Sequence, residues 1–296
     1  MSNLEIDITK TEDFCKKINL DSKVLSKAQK DFLNEEGYLI IPPTDFIEKN
    51  LKFLNEISNE LISSEGTKGG WEGKEQNENY GKGIPFEPGT NRLGNLIEKH
   101  PFFKKLLILP EVITAAKEVI KYDIKLSGFT LRNPLKNSGH QAYHIDGLPR
   151  KNKNDPFHGV LCAIFLDDST SENGSTRIIP KSHKKLGYPD EYINPEQSQK
   201  NEIRANLKAG SMLILNINTW HAGSKNLNGE PRKSIFIQIK RRDEAQLLNY
   251  KKYLKKSTLQ ELSSPLKYLL AVRDNDPTQD EMSIGPGAEY RKKFGK

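Results

Sequence analysis

The chain has 296 residues, with 46 basic against 39 acidic side chains, a formal net charge of +7 and 35% hydrophobic residues; its pI is near 9.1 and its mean hydropathy is -0.70. Such a chain can enclose a pocket within one unit, but its core is modest and much of its length is polar loop or surface helix. No window approaches a membrane span, so no membrane partner is expected. The basic residues are scattered among the acids rather than gathered in one block, which fits a solvated lysine-rich surface and gives no reason to expect a nucleic-acid partner. Cys15 and Cys162 are the only cysteines and lie far apart. That spacing excludes a disulfide framework and a cysteine-based zinc site, and it fits a reducing compartment. The charged N-terminus lacks a signal-peptide apolar stretch and the last residues are not a peroxisomal Ser-Lys-Leu, so cytoplasm is the expected location.

Residues 24–36 read as an amphipathic helix, with Val24, Leu25, Ala28, Phe32 and Leu33 on one side. Gly37 ends it, and Tyr38 to Ile41 follow as a short strand stopped by Pro42-Pro43. Asp45 is placed to cap a second helix through about Ile62. From Gly66 to Asn95 glycines alternate with polar residues and with Trp71, Tyr80 and Phe86, the texture of a long loop that covers a substrate or packs on the surface. A helical turn near 102–107 and a helix over about 111–121 come next. The period then shortens toward two. Strands are expected over 124–132, 140–146, 159–167, 175–180, 202–207, 211–217 and 233–240, and helices over about 244–255 and 258–273. The expected organisation is one α+β domain: a helical flank over about 1–122, a mainly β core of sandwich or jelly-roll type over about 123–242, and a helical extension over about 243–296.

The β block contains Gln141-Ala-Tyr-His144-Ile-Asp146-Gly147. In an extended strand residues i and i+2 share a face, so His144 and Asp146 point the same way. A distant histidine would complete a 2-His-1-carboxylate triad, which covers one face of an octahedral metal and leaves the others open; N/O ligands without thiolate suit Fe(II). Asn218-Thr-Trp-His221-Ala-Gly supplies a candidate at the end of an apolar strand that begins at Met212. Beyond it Arg232 enters the strand Ser234 to Lys240, where Ile235, Ile237 and Ile239 alternate with the face that carries 234, 236 and 238. By parity Arg232 belongs to the second face. A half-buried guanidinium meets either a neighbouring acid or a bound anion, and beside the triad its fork suits a dicarboxylate co-substrate.

Between the ligand segments runs Leu166-Asp-Asp-Ser-Thr-Ser-Glu172-Asn173-Gly174-Ser-Thr176-Arg-Ile-Ile-Pro180-Lys-Ser182-His183. Together with Phe32 to Ile41, Asn91-Arg92-Leu93 and Phe102 to Val112, this resembles the phytanoyl-CoA dioxygenase (PhyH-like) family of Fe(II)/2-oxoglutarate oxygenases, over roughly residues 25 to 242. The resemblance implies a double-stranded β-helix, a jelly-roll barrel flanked by helices. It implies iron held by His144, Asp146 and His221, 2-oxoglutarate docked through its distal carboxylate on Arg232, and O2 as oxidant. Arg92 stands where a basic residue reaching co-substrate or substrate is common, and Thr130 lies on a strand lining the same pocket. The implied reaction is hydroxylation of an unactivated C–H bond in a small metabolite, with release of succinate and CO2, and Lys151, Lys153, Lys184 and Lys185 would suit an anionic one. Desaturation or cyclisation start from the same chemistry. Lys181 departs from the family's usual glycine, and Gly223 stands where a small hydroxyl residue is common.

Other readings compete. A nucleic-acid demethylase would pair Arg232 with a second arginine at position 238, where this chain has Gln238. A cupin-like zinc or manganese enzyme would use the same ligands, and a non-catalytic barrel would not need them intact. His183 reads as a turn residue, His140 and His158 as loop histidines, and Trp220 equally as core or as a substrate platform.

Overall fold

The computed structural model describes residues 8–21, 23–65 and 89–274. Its first element, α1 (Thr11–Lys17), is too short to show an apolar period; it is fixed by Thr11, whose N–H donates to Asp123 and whose hydroxyl meets the Tyr268 hydroxyl. The second, α2 (Lys27–Glu36), begins where Ser26 and Gln29 form a capping box and stops at Gly37, at φ 82°. It therefore starts later than the apolar pattern from residue 24 suggests. Strand β1 (Tyr38–Ile41) and helix α3 (Asp45–Glu65) follow; the Thr44 hydroxyl, rather than Asp45, accepts from the Ile47 N–H at 3.5 Å. The expected long loop falls mainly on 66–88, outside the described residues. Its end is not loop but the edge strand β2 (Thr90–Leu93). Short helices α4 (Leu96–Lys99) and α5 (Phe103–Leu106) lead to α6 (Pro110–Ile120), which carries proline in its first turn.

The remaining strands are β3 (Ile124–Pro134), β4 (Gly159–Phe165), β5 (Thr176–Ile178), β6 (Ile203–Ala205), β7 (Met212–Asn216), β8 (His221–Gly223) and β9 (Ser234–Arg241). They form a six-stranded sheet in the order β1-β7-β4-β9-β3-β2 and a three-stranded sheet in the order β6-β5-β8, with antiparallel pairing throughout. This is the jelly-roll architecture flanked by helices. Alternation along β9 sets the layers. Ile235, Ile237 and Ile239 face the helices and pack in the large core with Val112, Ile113 and Leu33, whereas Phe236 faces the smaller sheet and packs with Ala163, Phe165, Ile178 and Leu213. The space between the two sheets is where the even-numbered residues of β9 point.

Two expectations need correction. Residues 140–146 are not a ladder strand: their backbone bonds go to scattered partners, Gln141 N–H to Gly223, Tyr143 N–H to Pro195 and Asp146 N–H to Ile217, with one isolated bridge between His144 and His221. Extended geometry survives without a regular partner strand. The expected C-terminal helices shrink to α7 (Tyr250–Tyr253), α8 (Lys256–Glu261) and α9 (Ser264–Leu269). Residues before α7 are drawn instead to a bulge in β3, where the Ser127 hydroxyl accepts from the Leu247 N–H and the Ser127 carbonyl from the Leu248 N–H, each at 3.1 Å. Pro265 starts a new helix because it cannot continue an old one.

Gly37 ties the N-terminal flank to the site. Its carbonyl accepts from the Asn216 N–H at 2.9 Å and from the Thr219 hydroxyl at 2.7 Å, so α2 braces the turn that delivers His221. A Cβ there would stand 2.3 Å from His183 Nδ1 and 2.5 Å from Thr219 Oγ1. Gly37→Ala is expected to cost roughly 2–3 kcal/mol of stability, combining left-handed backbone strain with that collision. Urea unfolding with an unchanged midpoint would contradict this reading.

Candidate metal centre

His144 and His221 meet through a reciprocal backbone pair: the N–H of His144 donates to the His221 carbonyl at 3.0 Å, and the N–H of His221 to the His144 carbonyl at 3.1 Å. Their rings lie 4.4 Å apart between centroids. In both, Nδ1 faces the carbonyl of the residue two earlier, Ala142 and Thr219 respectively, at 2.9 Å. That contact keeps the proton on Nδ1 and turns the Nε2 lone pair toward the other ring. Asp146 completes the group, with Oδ1 at 3.7 Å from His144 Nε2 and Oδ2 at 3.4 Å from His221 Nε2. The three ligand atoms all lie within 4.8 Å of one another. Ligands on one face of a metal octahedron stand about 3 Å apart, so a small contraction suits an ion. Both histidines are buried and Asp146 is half-buried. Burial works against charging His221, yet the Asp146 carboxylate raises its pKa above the ordinary imidazole value. The donor set fits a divalent metal.

The segment carrying the first two ligands is locked from behind by groups that no local pattern advertises. The Tyr143 hydroxyl donates to Glu202 at 2.6 Å; Arg177 stacks over the Tyr143 ring at 4.8 Å and donates to the Gln141 carbonyl at 2.8 Å. Burial, then the bond to Glu202, pushes the Tyr143 phenol up. Although burial opposes it, the bonds from Tyr143 and the Gln199 backbone hold the Glu202 carboxyl below its usual value. The network sits on the opposite side of the chain from His144, as alternation requires.

Arg232 is buried, and its Nε donates to the Asn173 carbonyl at 3.3 Å while its backbone N–H donates to Asn133 Oδ1 at 3.0 Å. The register of the large sheet brings further residues to the same face. Thr130 stands opposite Phe236, and Arg92 stands opposite Arg132, which in turn stands opposite Ser234. Arg132 was missed in the sequence although it shares Thr130's parity; its charge reaches His221. Two in-register arginines on an inward face make that side of the chamber strongly cationic.

Residues 33–234 match the phytanoyl-CoA dioxygenase (PhyH) family. The chain belongs to this family. Among family relatives, the ectoine dioxygenase of Bordetella parapertussis is 22% identical over 185 residues, covering 51% of this chain and 58% of the relative, so the chain spans little more than half of that protein's length. Among solved structures, iron-bound EctD from S. alaskensis superposes with a TM-score of 0.59 at 15% identity, over 75% of this chain and 79% of that one. HygX from Streptomyces hygroscopicus with nickel and 2-oxoglutarate bound gives a TM-score of 0.56 at 15% identity, over 74% and 88%. These likenesses show the shared fold.

The two departures from the PhyH pattern have local accounts. Lys181 takes the left-handed conformation at φ 64° that glycine adopts easily, and its ammonium meets Glu35 at 3.2 Å and Glu36 at 3.3 Å on α2. Gly223 has no room for a side chain: a Cβ would stand 2.6 Å from the Gly139 carbonyl and 3.0 Å from Gln141 Oε1, which accepts from the Gly223 N–H. Trp220 is core, packed with Tyr143, Ile145, Ile179 and Ala222. His140 pairs loosely with Glu196 at 3.5 Å, and His158 is engaged by Glu244. No helix among the described residues is long and apolar enough to cross a membrane.

His183 takes no part in the metal group; its Nε2 meets the Asn34 carbonyl at 3.0 Å and burial lowers its pKa to about 4 from 6.5. Between those values the unfolded chain binds a proton that the folded chain refuses. Its contribution to stability is therefore complete above about pH 6.5 and falls by about 3 kcal/mol as pH drops toward 4. The difference between wild type and His183→Gln in unfolding free energy should shrink over that window. A pH-independent difference would show that His183 is not held neutral.

Proposed function

We propose that this chain is an Fe(II)- and 2-oxoglutarate-dependent dioxygenase that hydroxylates an unactivated C–H bond of a small-molecule, anionic metabolite, releasing succinate and CO2. The observation that carries the proposal is the convergence of His144, Asp146 and His221, with both imidazole lone pairs freed by backbone bonds to Nδ1. Iron(II) with 2-oxoglutarate would supply the means of activating O2 for that oxidation. The protein's own part is to hold and orient. His144, Asp146 and His221 fix one face of the ion, and their reciprocal backbone pair sets the spacing. Arg232, buried on the inward side, offers a fork to the distal carboxylate of 2-oxoglutarate. Arg92 on β2 and Thr130 on β3 would stand beside it, a role that their register with Arg132 and Phe236 supports.

Asp146 keeps a carboxylate at the third ligand position, leaving no vacancy for a halide there, so hydroxylation is the outcome proposed. Family membership supports the cofactor pair. Cys15 and Cys162 are free and buried, which agrees with the reducing cytoplasm proposed as its location.

His144→Ala or Asp146→Ala should abolish 2-oxoglutarate-dependent succinate release, because the two remaining ligands no longer hold the ion facially. Turnover at the wild-type rate in either variant contradicts the ligand assignment. Arg232→Ala should raise the 2-oxoglutarate concentration for half-maximal rate by about tenfold or more, the loss expected for a charged hydrogen-bond pair. An unchanged value would remove Arg232 from the co-substrate site.

A further inference from the structure

The inward face of β9 changes character along its length. Phe236 is packed between the sheets, but the next two inward residues, Gln238 and Lys240, are polar and only 4% and 5% exposed. Both lie on the Asp146 side of the metal group. Gln238 Nε2 donates to the Asp146 carbonyl at 3.3 Å, which fixes the amide's orientation. Its Oε1 is buried and meets no donor among the described residues. The residue opposite Gln238 on β3 is Gly128, so no side chain from that strand covers the amide oxygen; a Cβ there would stand 4.0 Å from Oε1.

Lys240 continues the pattern one step further. Its charge feels Glu244 and Asp146, but among the described residues no acceptor bonds its ammonium. Glu244 is already engaged by His158 Nδ1, and the Asp146 carboxylate is turned to the metal group, 3.7 and 3.4 Å from the two imidazole Nε2 atoms. Burial accordingly pushes the ammonium below its ordinary pKa. Lys125, also buried, stands opposite Lys240, so the sheet register offers no acid to offset it. A lysine with most of its surface buried and no bonded acceptor, next to a buried amide oxygen without a donor, is costly to a fold that gains nothing from them. Leu161, opposite Gln238 on β4, and Leu247, against Gly128, are the apolar neighbours of these positions. Convergent polar groups among apolar neighbours beside a metal group are what a substrate site needs.

We propose that Gln238 and Lys240 recognise the primary substrate, and that the substrate carries a carboxylate next to a hydrogen-bond donor, as in an α-hydroxy or α-amino acid. Lys240 takes the carboxylate and Gln238 Oε1 accepts from the neighbouring hydroxyl or amino group. The single ammonium, with Glu244 and Asp146 within electrostatic range, favours a monoanion over a phosphate dianion. The site is separate from the Arg232 end of the chamber, so it can be filled while 2-oxoglutarate is bound. This inference rests on the oxygenase reading above.

The test uses the full chain loaded anaerobically with Fe(II) and saturating 2-oxoglutarate, and calorimetric titration with 2-hydroxyhexanoate, hexanoate, hexanamide and glycerol 3-phosphate as probes. Wild type should bind the hydroxy acid most tightly, hexanoate next and hexanamide least. Lys240→Met should weaken both acids by about tenfold or more, to the level of the amide. Gln238→Leu should erase the preference for the hydroxy acid over hexanoate. Lys240→Met should also melt at or above the wild-type temperature, because a largely buried lysine without a bonded acceptor is replaced by an apolar chain of similar length. The proposal is overturned if wild type does not distinguish acid from amide, including by binding neither, or if glycerol 3-phosphate binds most tightly. It is equally overturned if Lys240→Met loses stability while keeping the wild-type ranking of probes. Failure of wild type to take up Fe(II) and 2-oxoglutarate would instead refute the oxygenase reading itself.

Discussion

The reciprocal backbone bonds between His144 and His221 are the contact on which the rest of the site depends. They are a single bridge, not part of a ladder, and with the bonds between Gln141 and Gly223 they join the segment carrying two ligands to the strand carrying the third. A lone antiparallel bridge is weak in water. It is kept here by what surrounds it: the Tyr143–Glu202–Arg177 network behind one partner, and the Gly37 carbonyl holding the Thr219 turn behind the other. Each backbone bond to Nδ1 then converts strand position into ligand direction. Fold and chemistry are thus coupled through backbone polar groups that find partners only in this arrangement.

The chamber between the sheets is polar at both ends and apolar in the middle. Arg232, Arg132 and Arg92 stand toward one end, Gln238 and Lys240 toward the other, and Phe236 with Ala163, Phe165 and Leu213 lies between. Such an arrangement is unfavourable for a sandwich core that only needs to be stable. It suits a chamber that takes polar ligands from two directions, with the metal group at the junction. The same logic explains why helices cover the outer face of the large sheet, where Ile235, Ile237 and Ile239 demand cover.

Much of this was legible from residue order, for reasons that can be stated. The period of two placed His144 with Asp146 and Arg232 with the even-numbered residues of β9, because strand alternation needs no tertiary information. The glycine at 37 and the prolines at 42 and 43 marked β1 correctly for the same local reason. What was not legible depends on contacts distant in sequence. Tyr143 and Glu202 are 59 residues apart, and nothing near either announces the other. Arg132 stood at the end of a recognised strand but acquired meaning only when β2 brought Arg92 opposite it. Gln238 was read for the arginine it is not, whereas its uncovered amide oxygen becomes visible only beside Gly128 and Asp146. The bulge at Ser127 capturing Leu247 and Leu248 likewise overrode the local helical pattern that followed Asp243.

The central claim, that this facial triad holds iron for 2-oxoglutarate, is tested most directly by anaerobic titration followed by visible absorption. Fe(II) added first should bind at one site and give no visible band. Subsequent 2-oxoglutarate should then produce a metal-to-ligand charge-transfer band that is absent in His221→Ala. A protein that binds Zn(II) at this site but develops no such band with Fe(II) and 2-oxoglutarate would contradict the account.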